Sequence, residues 1–382
     1  MFRFQGPALR AGPFCLARSV NDLLLDLQTI NLASTEIEVP LFSDEPKYPS
    51  YFRQKPSTGP YLEGEAYGLS LAPNVEEARA KALAEFYERL CLYNVSRDDE
   101  PKPWDEDAGW IDPTLFDPVA LPKRAAALRQ SAYIWLDAVE IRTGGKTKLP
   151  AQTVIPGFGA EEERILVGVG PGGTALGRVG DGGALQRGLF EVLERFTFAS
   201  SSLQERIQKR IVHLPPKFQS IEQVMRRYGL EPYVCPLQTK YSIPCVLVAL
   251  TDYSGVAPAV SLAMRAAPTY AAAIHTALFE ALERRRPARI EETSRTEEST
   301  APRVYPWESM ETLREMEPLL KEAEPIEFSS LPDTPRTSED LLAGLDDDDL
   351  DVFSVDLTLP EVAAAGFEAT KIVIPGLGPM PS

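Results

Sequence analysis

The sequence of 382 residues predicts an α/β protein in which mixed β-sheets are flanked by helices. Two observations predict this class. A strand, a loop and an amphipathic helix follow one another three times along the chain. Between the repeats, compact apolar runs at 231–239 and 243–252 have the length of strands. The apolar fraction of 44% and the charged fraction of 25% are those of an ordinary globular protein.

Composition excludes several functional classes. A net charge of -17 argues against a nucleic-acid or anionic-membrane partner, because such surfaces require basic patches. No apolar run is long enough to span a bilayer, and the N-terminus lacks the continuous apolar core of a secretory signal, so we expect a cytoplasmic protein. Only two histidines are present and the four cysteines form no CxxC pair, which argues against a zinc centre.

The elements follow in order along the chain. We expect an N-terminal segment at 1–61, with a helix at 20–31 and a proline-rich loop at 48–60, and a catalytic domain at 62–382. A strand is predicted at 64–73, and Asn74 is expected to cap the helix that runs to about Tyr93. The runs around Gly144 and Gly145 indicate a β-hairpin. Glycines between Gly168 and Gly180 are expected to let a ligand approach the backbone.

One short phrase recurs in three helices, as KALAEFYER at 81–89, RGLFEVLER at 187–195 and TALFEALER at 276–284. Each copy carries two glutamates three residues apart, a spacing that places both carboxylates on one helix face. For a single copy, a solvated face with weak ion pairs is the simpler interpretation. Three copies in one register favour a shared role instead. The glutamates concerned are Glu85, Glu88, Glu191, Glu194, Glu280 and Glu283.

If the three helices converge, six carboxylates share one place, and their repulsion requires cations among them. Oxygen ligands in this number suit Mg²⁺, which proteins usually hold together with substrate phosphates. Arg89, Arg195 and either Arg284 or Arg285 would then offer guanidinium groups to phosphate oxygens. No GxxxxGK[ST] loop is present, so the predicted nucleotide site is not of the Walker type.

These three phrases, their glycine-rich lead-ins and the ending VDLTLPEVAAAGFEATKIVIPGLGPMP resemble the YcaO family, from about residue 62 to the C-terminus. The resemblance implies an enzyme that uses ATP and Mg²⁺ to activate a backbone amide oxygen of a peptide. Attack by a neighbouring Cys, Ser or Thr side chain then gives an azoline, whereas an external sulfur donor gives a thioamide and an amine gives an amidine.

The resemblance also implies roles for individual residues. Glutamates of the three helices hold Mg²⁺ in the family, which assigns the metal to Glu85, Glu88, Glu191, Glu194, Glu280 and Glu283. The nucleotide contacts fall on Lys81, Arg89, Arg195 and Arg285. Azoline-forming members have a proline-rich C-terminal tail that reaches the active site, which implies a catalytic role for Pro381 and Ser382.

Three positions depart from the family pattern. Lys81 stands where Ser is usual, Phe196 where Asp is usual, and Glu283 where Gln is usual. The changes at 81 and 283 cancel in formal charge. Because Lys81 lies one turn before Glu85, we expect its ammonium to neutralise a carboxylate of the site or to approach a phosphate.

The most favoured function is cyclodehydration of Cys, Ser or Thr in a ribosomally synthesised precursor peptide. Thioamidation and a catalytically silent scaffold are the alternatives. The implied partners are the precursor peptide, a leader-binding (E1-like) partner protein or a sulfur-delivery protein, and a dehydrogenase. We also expect a homo-oligomer, no nucleic acid and no membrane.

Overall fold

The computed structural model describes residues 24, 26–30, 35–38, 46, 48–57, 64–94, 100–117, 120–155, 166, 172–199, 202–254, 258–294, 309–332 and 334–377. Its strands are β1 (Thr35–Glu38), β2 (Ser50–Ser57), β3 (Gly64–Leu71), β4 (Trp135–Glu140), β5 (Lys146–Pro150), β6 (Gly172–Arg178), β7 (Lys209–His213), β8 (Leu230–Leu237), β9 (Cys245–Asp252), β10 (Val260–Ala266), β11 (Glu324–Glu327), β12 (Phe353–Asp356) and β13 (Phe367–Val373).

The helices lie between and beside these strands. They are α1 (Val75–Tyr93), α2 (Pro122–Gln130), α3 (Ala151–Val154), α4 (Gly183–Ala199), α5 (Leu203–Arg206), α6 (Pro216–Arg227), α7 (Tyr270–Ser294), α8 (Met310–Glu322), α9 (Ser338–Asp347) and α10 (Pro360–Ala364), with 3₁₀ turns at Pro113–Phe116 and Phe328–Ser330. Within the described residues, no helix has the length and apolar character needed to cross a membrane.

The strands form four sheets among the residues described. A five-stranded sheet has the order β5-β4-β12-β13-β6, two three-stranded sheets have the orders β1-β2-β3 and β10-β9-β8, and β11 pairs with β7. The β7–β11 pair is parallel, and the strands of the three larger sheets pair antiparallel. Several sheets flanked by helices confirm the predicted α/β class.

Local signals in the sequence account for several of these elements. Asn74 caps α1 as predicted, since its Oδ1 accepts a hydrogen bond of 2.9 Å from the Glu77 N–H. The predicted hairpin is β4–β5, and Gly144 in its turn has a φ of +71°, a conformation that favours glycine. The predicted loop at 48–60 is wrong, because residues 50–57 form β2. Pro56 is tolerated there because β1 pairs only with residues 51–54 of β2.

The predicted boundary between residues 61 and 62 falls between the paired strands β2 and β3. The segment at 202–211 contains the short helix α5 and the start of strand β7.

The apolar faces of the three motif helices are buried in three different hydrophobic clusters. Leu83 and Phe86 of α1 pack with the five-stranded sheet, and Leu278 of α7 packs with α6 and the β8–β10 sheet. Leu189 and Leu193 of α4 pack with α9. Because each helix places its apolar face in its own cluster, the glutamate faces of the three helices are free to meet.

Candidate functional site

Three strand–loop–helix units, β3–α1, β6–α4 and β10–α7, surround the candidate site. Each helix packs on the strand that precedes it in its own unit. Each also contacts the strand of the next unit in cyclic order: α1 contacts β6, α4 contacts β10, and α7 contacts β3. This cyclic packing brings together three helices that lie far apart in the sequence.

Glycines in the first two strands allow the close helix packing. A Cβ atom on Gly68 of β3 would lie 2.0 Å from the carbonyl oxygen of Ala82 in α1. A Cβ on Gly173 of β6 would lie 1.9 Å from the carbonyl oxygen of Gly188 in α4. The prediction that glycines at 168–180 admit a ligand is therefore corrected for Gly173, where a helix makes the close approach. Gly168 and Gly170 lie outside the described residues.

The six glutamates influence one another in a closed cycle. The pKa of Glu88 is raised to about 8, chiefly by burial and then by the charges of Glu191 and Glu85. The pKa of Glu194 is raised to about 7 by burial, and Glu280 and Glu191 add to the increase.

The same pattern closes the cycle on the third helix. Burial raises the pKa of Glu283 well above its usual range, and Glu85 and Glu280 raise it further. Each of these second glutamates thus interacts with the first glutamate of its own helix and with that of the next helix. We call this set the carboxylate ring, in the order Glu85, Glu88, Glu191, Glu194, Glu280, Glu283. Its inter-helix junctions are Glu88/Glu191, Glu194/Glu280 and Glu283/Glu85.

The first glutamates of α1 and α4 are held in the same way. The Leu69 N–H of β3 donates to Glu85 Oε2 at 2.8 Å, and Arg89 donates to Glu85 Oε1 at 2.5 Å. In α4 the Thr174 N–H donates to Glu191 Oε2 at 2.8 Å, and Arg195 donates to Glu191 Oε1. The repeat thus contains an arginine four residues after its first glutamate, which fixes one oxygen of that carboxylate.

Arg89 has a second contact that orients it. Its guanidinium carbon lies 4.0 Å from the centre of the Tyr67 ring, a stacked cation–π arrangement. Tyr67 belongs to β3, so the first unit supplies both the strand and the helix that position this arginine.

The third helix departs from this pattern. Arg284 donates to Glu280 Oε1 at 2.6 Å, as the repeat requires, but the other oxygen of Glu280 faces Arg265 of β10. Arg265 Nε lies 2.7 Å from Glu280 Oε2, a charge contact without hydrogen-bond alignment. Arg265 Nη1 also lies 3.3 Å from Glu194 Oε1 and thereby bridges two helices.

Glu194 and Glu283 also accept backbone hydrogen bonds from the ends of strands in the next unit. The Ala266 N–H donates to Glu194 Oε2 at 3.1 Å, and the Leu71 N–H donates to Glu283 Oε2 at 3.3 Å. Glu88 is the corresponding residue of α1. Within the described part of the chain it makes no hydrogen bond or ion pair, so its half-buried carboxylate is the least compensated of the ring.

Lys371 of β13 is a further charged residue at the site. Its buried ammonium donates to the Gly172 carbonyl oxygen at 3.2 Å and to Thr174 Oγ1 at 3.1 Å. Burial lowers its pKa to about 8, although the nearby Glu191 opposes this effect. Sequence reasoning missed both Lys371 and Arg265. The available signal was a basic residue within a largely apolar strand.

The remaining predicted site residues lie elsewhere or outside the described chain. Arg285, predicted to contact the nucleotide, is buried and donates to Asp252 Oδ2 at 2.5 Å and to the Pro258 carbonyl oxygen at 3.1 Å. Arg284, not Arg285, holds the repeat position of Arg89 and Arg195. The structure places Arg285 in a buried ion pair because it lies one residue, or about a quarter turn, further round the helix.

Lys81, expected to neutralise a ring carboxylate or to approach a phosphate, pairs with a residue outside the carboxylate ring. Its ammonium lies 2.7 Å from Glu77 Oε1, one turn earlier on α1, and not against a carboxylate of the ring. The ion pair with Glu77, four residues earlier on the helix, competes with any contact between Lys81 and a more distant carboxylate. Pro381 and Ser382 lie outside the described residues.

The residues present fit a divalent cation by their chemistry. Hard carboxylate oxygens crowd together, and such oxygens are the donors that Mg²⁺ prefers. Glu88 also lacks a partner among the described residues. No three acidic, histidine or cysteine side chains of the described chain already stand close enough to hold a metal together. The reason is visible in the contacts, because arginines and strand N–H groups engage five of the six carboxylates. Metal binding therefore requires side-chain rearrangement.

Comparisons with known proteins identify the family to which this chain belongs. The family model described as YcaO cyclodehydratase, ATP- and Mg²⁺-binding, matches residues 72–378. That match covers most of the sequence, so the chain belongs to the YcaO family. ATP and Mg²⁺ are its cofactors.

Solved structures share the fold. A heterocyclase in complex with substrate and cofactor matches with a TM-score of 0.72 and 17% identity, over 95% of this chain and 53% of that chain. YcaO from Methanopyrus kandleri, bound with AMPPCP and Mg²⁺, matches with a TM-score of 0.67 and 16% identity, over 96% of this chain and 95% of that chain.

The E. coli microcin synthetase McbBCD complex with pro-MccB17 bound matches with a TM-score of 0.58 and 13% identity, over 89% of this chain and 87% of that chain. At these identities the likeness shows the fold alone. This chain spans about half the length of the heterocyclase. No curated protein matches the sequence.

Proposed function

We propose that this chain uses ATP and Mg²⁺ to activate a backbone amide of a ribosomally synthesised precursor peptide, and that it cyclises Cys, Ser or Thr side chains to azolines. The observation that carries the proposal is the carboxylate ring, in which three helices of one family motif present six interacting glutamates. Such a concentration of negative charge is stabilised by divalent cations and by the phosphate-binding arginines that accompany them.

The chain contributes positioning and charge neutralisation. Carboxylates of the ring would hold Mg²⁺, and Arg89 and Arg195 lie beside them with guanidinium groups suited to phosphate oxygens. Bound Mg-ATP supplies the phosphoryl group that converts the amide oxygen into a leaving group. The side-chain nucleophile of the peptide loses its proton and forms the new bond to the amide carbon. The amide oxygen leaves with phosphate, and the amide nitrogen loses its proton as the C=N bond of the azoline forms. The peptide therefore loses the elements of water.

The partners and location belong to the same proposal. A leader-binding (E1-like) partner protein would deliver the precursor, and a dehydrogenase would oxidise the azoline product. Two structural neighbours, a heterocyclase in complex with substrate and the microcin synthetase McbBCD complex with pro-MccB17 bound, support a peptide substrate and partner proteins. We propose a cytoplasmic homo-oligomer.

Mass spectrometry of a candidate precursor, incubated with the chain, its partner protein, ATP and Mg²⁺, tests the proposal. Loss of one water per modified residue is the expected result, and the Glu191→Gln variant should give none. Exchange of oxygen for sulfur in the presence of a sulfur-delivery protein would indicate thioamidation instead. Absence of both mass changes, together with absence of ATP hydrolysis, would favour a silent scaffold.

A further inference from the structure

Arg265 distinguishes one junction of the carboxylate ring from the other two. Its guanidinium contacts Glu194 Oε1 at 3.3 Å and Glu280 Oε2 at 2.7 Å, so one cation spans the Glu194/Glu280 junction. The remaining oxygens of this pair are also engaged: Glu194 Oε2 accepts from the Ala266 N–H, and Glu280 Oε1 accepts from Arg284. All four carboxylate oxygens of the junction therefore have a partner.

The other two junctions lack such a bridge among the described residues. At Glu88/Glu191, Glu88 makes no ion pair with any residue that the structure describes, and Lys371 directs its hydrogen bonds to the neutral Gly172 and Thr174 oxygens. At Glu283/Glu85, the cation Arg89 pairs with Glu85 on its own helix and does not reach across. From the described part of the chain, Glu283 accepts only a backbone hydrogen bond of 3.3 Å.

The location of Arg265 makes it a fixed part of the site. It belongs to β10, whose register with β9 places it opposite Val246, in a strand followed directly by the loop to α7. Its side chain is 34% exposed overall, but its Nε atom is shielded from solvent and faces Glu280. Four ring carboxylates act on it, and together they outweigh the effect of burial and raise its pKa. Its guanidinium is therefore a permanent positive charge.

We infer that Arg265 takes the place of a divalent cation between Glu194 and Glu280, so that Mg²⁺ enters the ring only at the Glu88/Glu191 and Glu283/Glu85 junctions. A guanidinium and a divalent cation cannot both occupy the space between the same two carboxylates without strong repulsion. The inference rests on the proposed function in one respect, the binding of Mg²⁺ by the ring, and it narrows the set of glutamates that serve as ligands. Arg265 thereby limits the number of metal ions that the site accepts.

Counting bound Mn²⁺ by electron paramagnetic resonance tests this inference, with Mn²⁺ as the probe for Mg²⁺. The Arg265→Met variant keeps the aliphatic part of the side chain and removes its charge. We expect it to bind one Mn²⁺ per chain more than wild type, and its melting temperature should rise more than that of wild type when Mn²⁺ is added. Arg284→Met is the matched control, because Arg284 pairs with the same Glu280 but spans no junction, and it should bind the wild-type number.

Two variants of the glutamates test the inference with Arg265 in place, and they decide it if Arg265→Met does not fold. Glu194→Gln should leave the number of bound Mn²⁺ unchanged, whereas Glu88→Gln should lower it. Equal losses in both variants would overturn the inference. An unchanged Mn²⁺ count in folded Arg265→Met would also overturn it, and weaker AMPPCP binding at that unchanged count would show that Arg265 serves the phosphates instead.

The counts are taken both with and without AMPPCP, so that the two proposals fail separately. If wild type binds no AMPPCP but Arg265→Met still gains one Mn²⁺, the proposed function fails and the role of Arg265 stands. If AMPPCP binds with Mn²⁺ and the variant gains none, the proposed function stands and the role of Arg265 fails.

Discussion

Glu88 has the least compensated carboxylate of the ring. Its pKa is raised to about 8, first by burial and then by Glu191 and Glu85, although Arg187 and Arg89 oppose the increase, and within the described residues it makes no hydrogen bond or ion pair. In the ligand-free protein it therefore holds a proton at neutral pH. A divalent cation bound by Glu88 would have to displace that proton, so we expect metal binding and proton release to be coupled at this residue.

Glu88 gives the ligand-free protein a pH-dependent stability. An unfolded Glu loses its proton near 4.5 and the folded Glu88 near 8, so between these values the folded state binds more protons. The stability it contributes is present at low pH and is lost as the pH rises towards 8. We expect the melting temperature of the ligand-free protein to fall over this window, and the fall to be smaller in Glu88→Gln. Differential scanning calorimetry from pH 5 to pH 9 measures it.

The affinity for Mg-AMPPCP should change in the opposite direction and rise over the same window. Glu76→Gln, on the exposed first turn of the same helix, is the control and should behave as wild type. A pH profile of Glu88→Gln identical to that of wild type would contradict the placement of Glu88 in the ring.

Lys81 and Glu283 should act independently on ATP affinity. Lys81 pairs with Glu77, whereas Glu283 lies among Glu85, Glu280 and Arg265, so the charges at 81 and 283 do not compensate each other within the site. In a double-mutant cycle of Lys81→Ser and Glu283→Gln we expect a coupling energy below about 0.5 kcal/mol. Calorimetric titration with AMPPCP and Mg²⁺ measures it, and a larger coupling would restore the compensation that the sequence suggests.

The sequence predicts some residues of the site and not others. The spacing of the glutamates is local, so their presence on one helix face follows from the sequence. Arg265 and Lys371 come from strands whose neighbours are distant in the chain, and only the tertiary packing places them at the ring. The sequence leaves open the choice between Arg284 and Arg285, which lie a quarter turn of helix apart, and the hydrogen bond from Arg284 to Glu280 shows which of them holds the repeat position.

At the scale of elements, the site depends on how closely each motif helix lies on its strand. Gly173 and Gly188 face each other where α4 crosses β6, and Gly68 lies beneath Ala82 of α1. These contacts set the distance between each helix and its strand. At that distance Glu85 and Glu191 accept hydrogen bonds from the strand N–H groups. Packing and site geometry are therefore linked in both units.

Gly173→Ala should destabilise the protein and weaken nucleotide binding together. Its Cβ would lie 1.9 Å from the Gly188 carbonyl oxygen and 3.1 Å from Glu191 Cβ, so α4 must move away from β6. We expect a loss of about 1–3 kcal/mol in the free energy of unfolding. Gly145→Ala is the control, since its Cβ would meet only the Thr143 hydroxyl at 3.0 Å. Equal urea unfolding midpoints for the two variants would contradict the close packing of α4.

Elements with local signals were predictable, and those that depend on partners were not. The cap at Asn74 and the β4–β5 hairpin follow from neighbouring residues. Strand β2 contains a proline, and its sequence therefore predicts a loop. Its strand conformation arises from pairing with β3 along its whole length, which neighbouring residues do not reveal. Likewise β7 exists through its pairing with β11, more than a hundred residues later.

At the scale of the molecule, three separated units build one ring through cyclic packing. Each motif helix touches the strand of the next unit, and each second glutamate interacts with the first glutamate of the next helix. The repeat in the sequence predicts that the helices share a role. The meeting of the three helices depends on the whole fold, because their apolar faces pack in three separate clusters.

Saturation of the ring should stabilise the whole molecule. A ligand that binds only the folded state adds about 2.7 kcal/mol to the stability at one hundred times its dissociation constant. We expect AMPPCP and Mg²⁺ together to raise the melting temperature well beyond the effect of either alone, because each neutralises charge that the other introduces. A melting temperature indifferent to both together, measured by scanning calorimetry, would favour the scaffold alternative.

Isothermal titration calorimetry with AMPPCP, in the presence and absence of Mg²⁺, tests most directly the central claim that the carboxylate ring is one Mg-ATP site. The experiment compares wild type with Glu191→Gln and with the exposed control Glu76→Gln, with circular dichroism to confirm folding. We predict that wild type and Glu76→Gln bind AMPPCP only when Mg²⁺ is present, and that Glu191→Gln loses at least about tenfold in affinity while remaining folded. Equal affinity with and without Mg²⁺, or unchanged affinity in folded Glu191→Gln, would contradict the account.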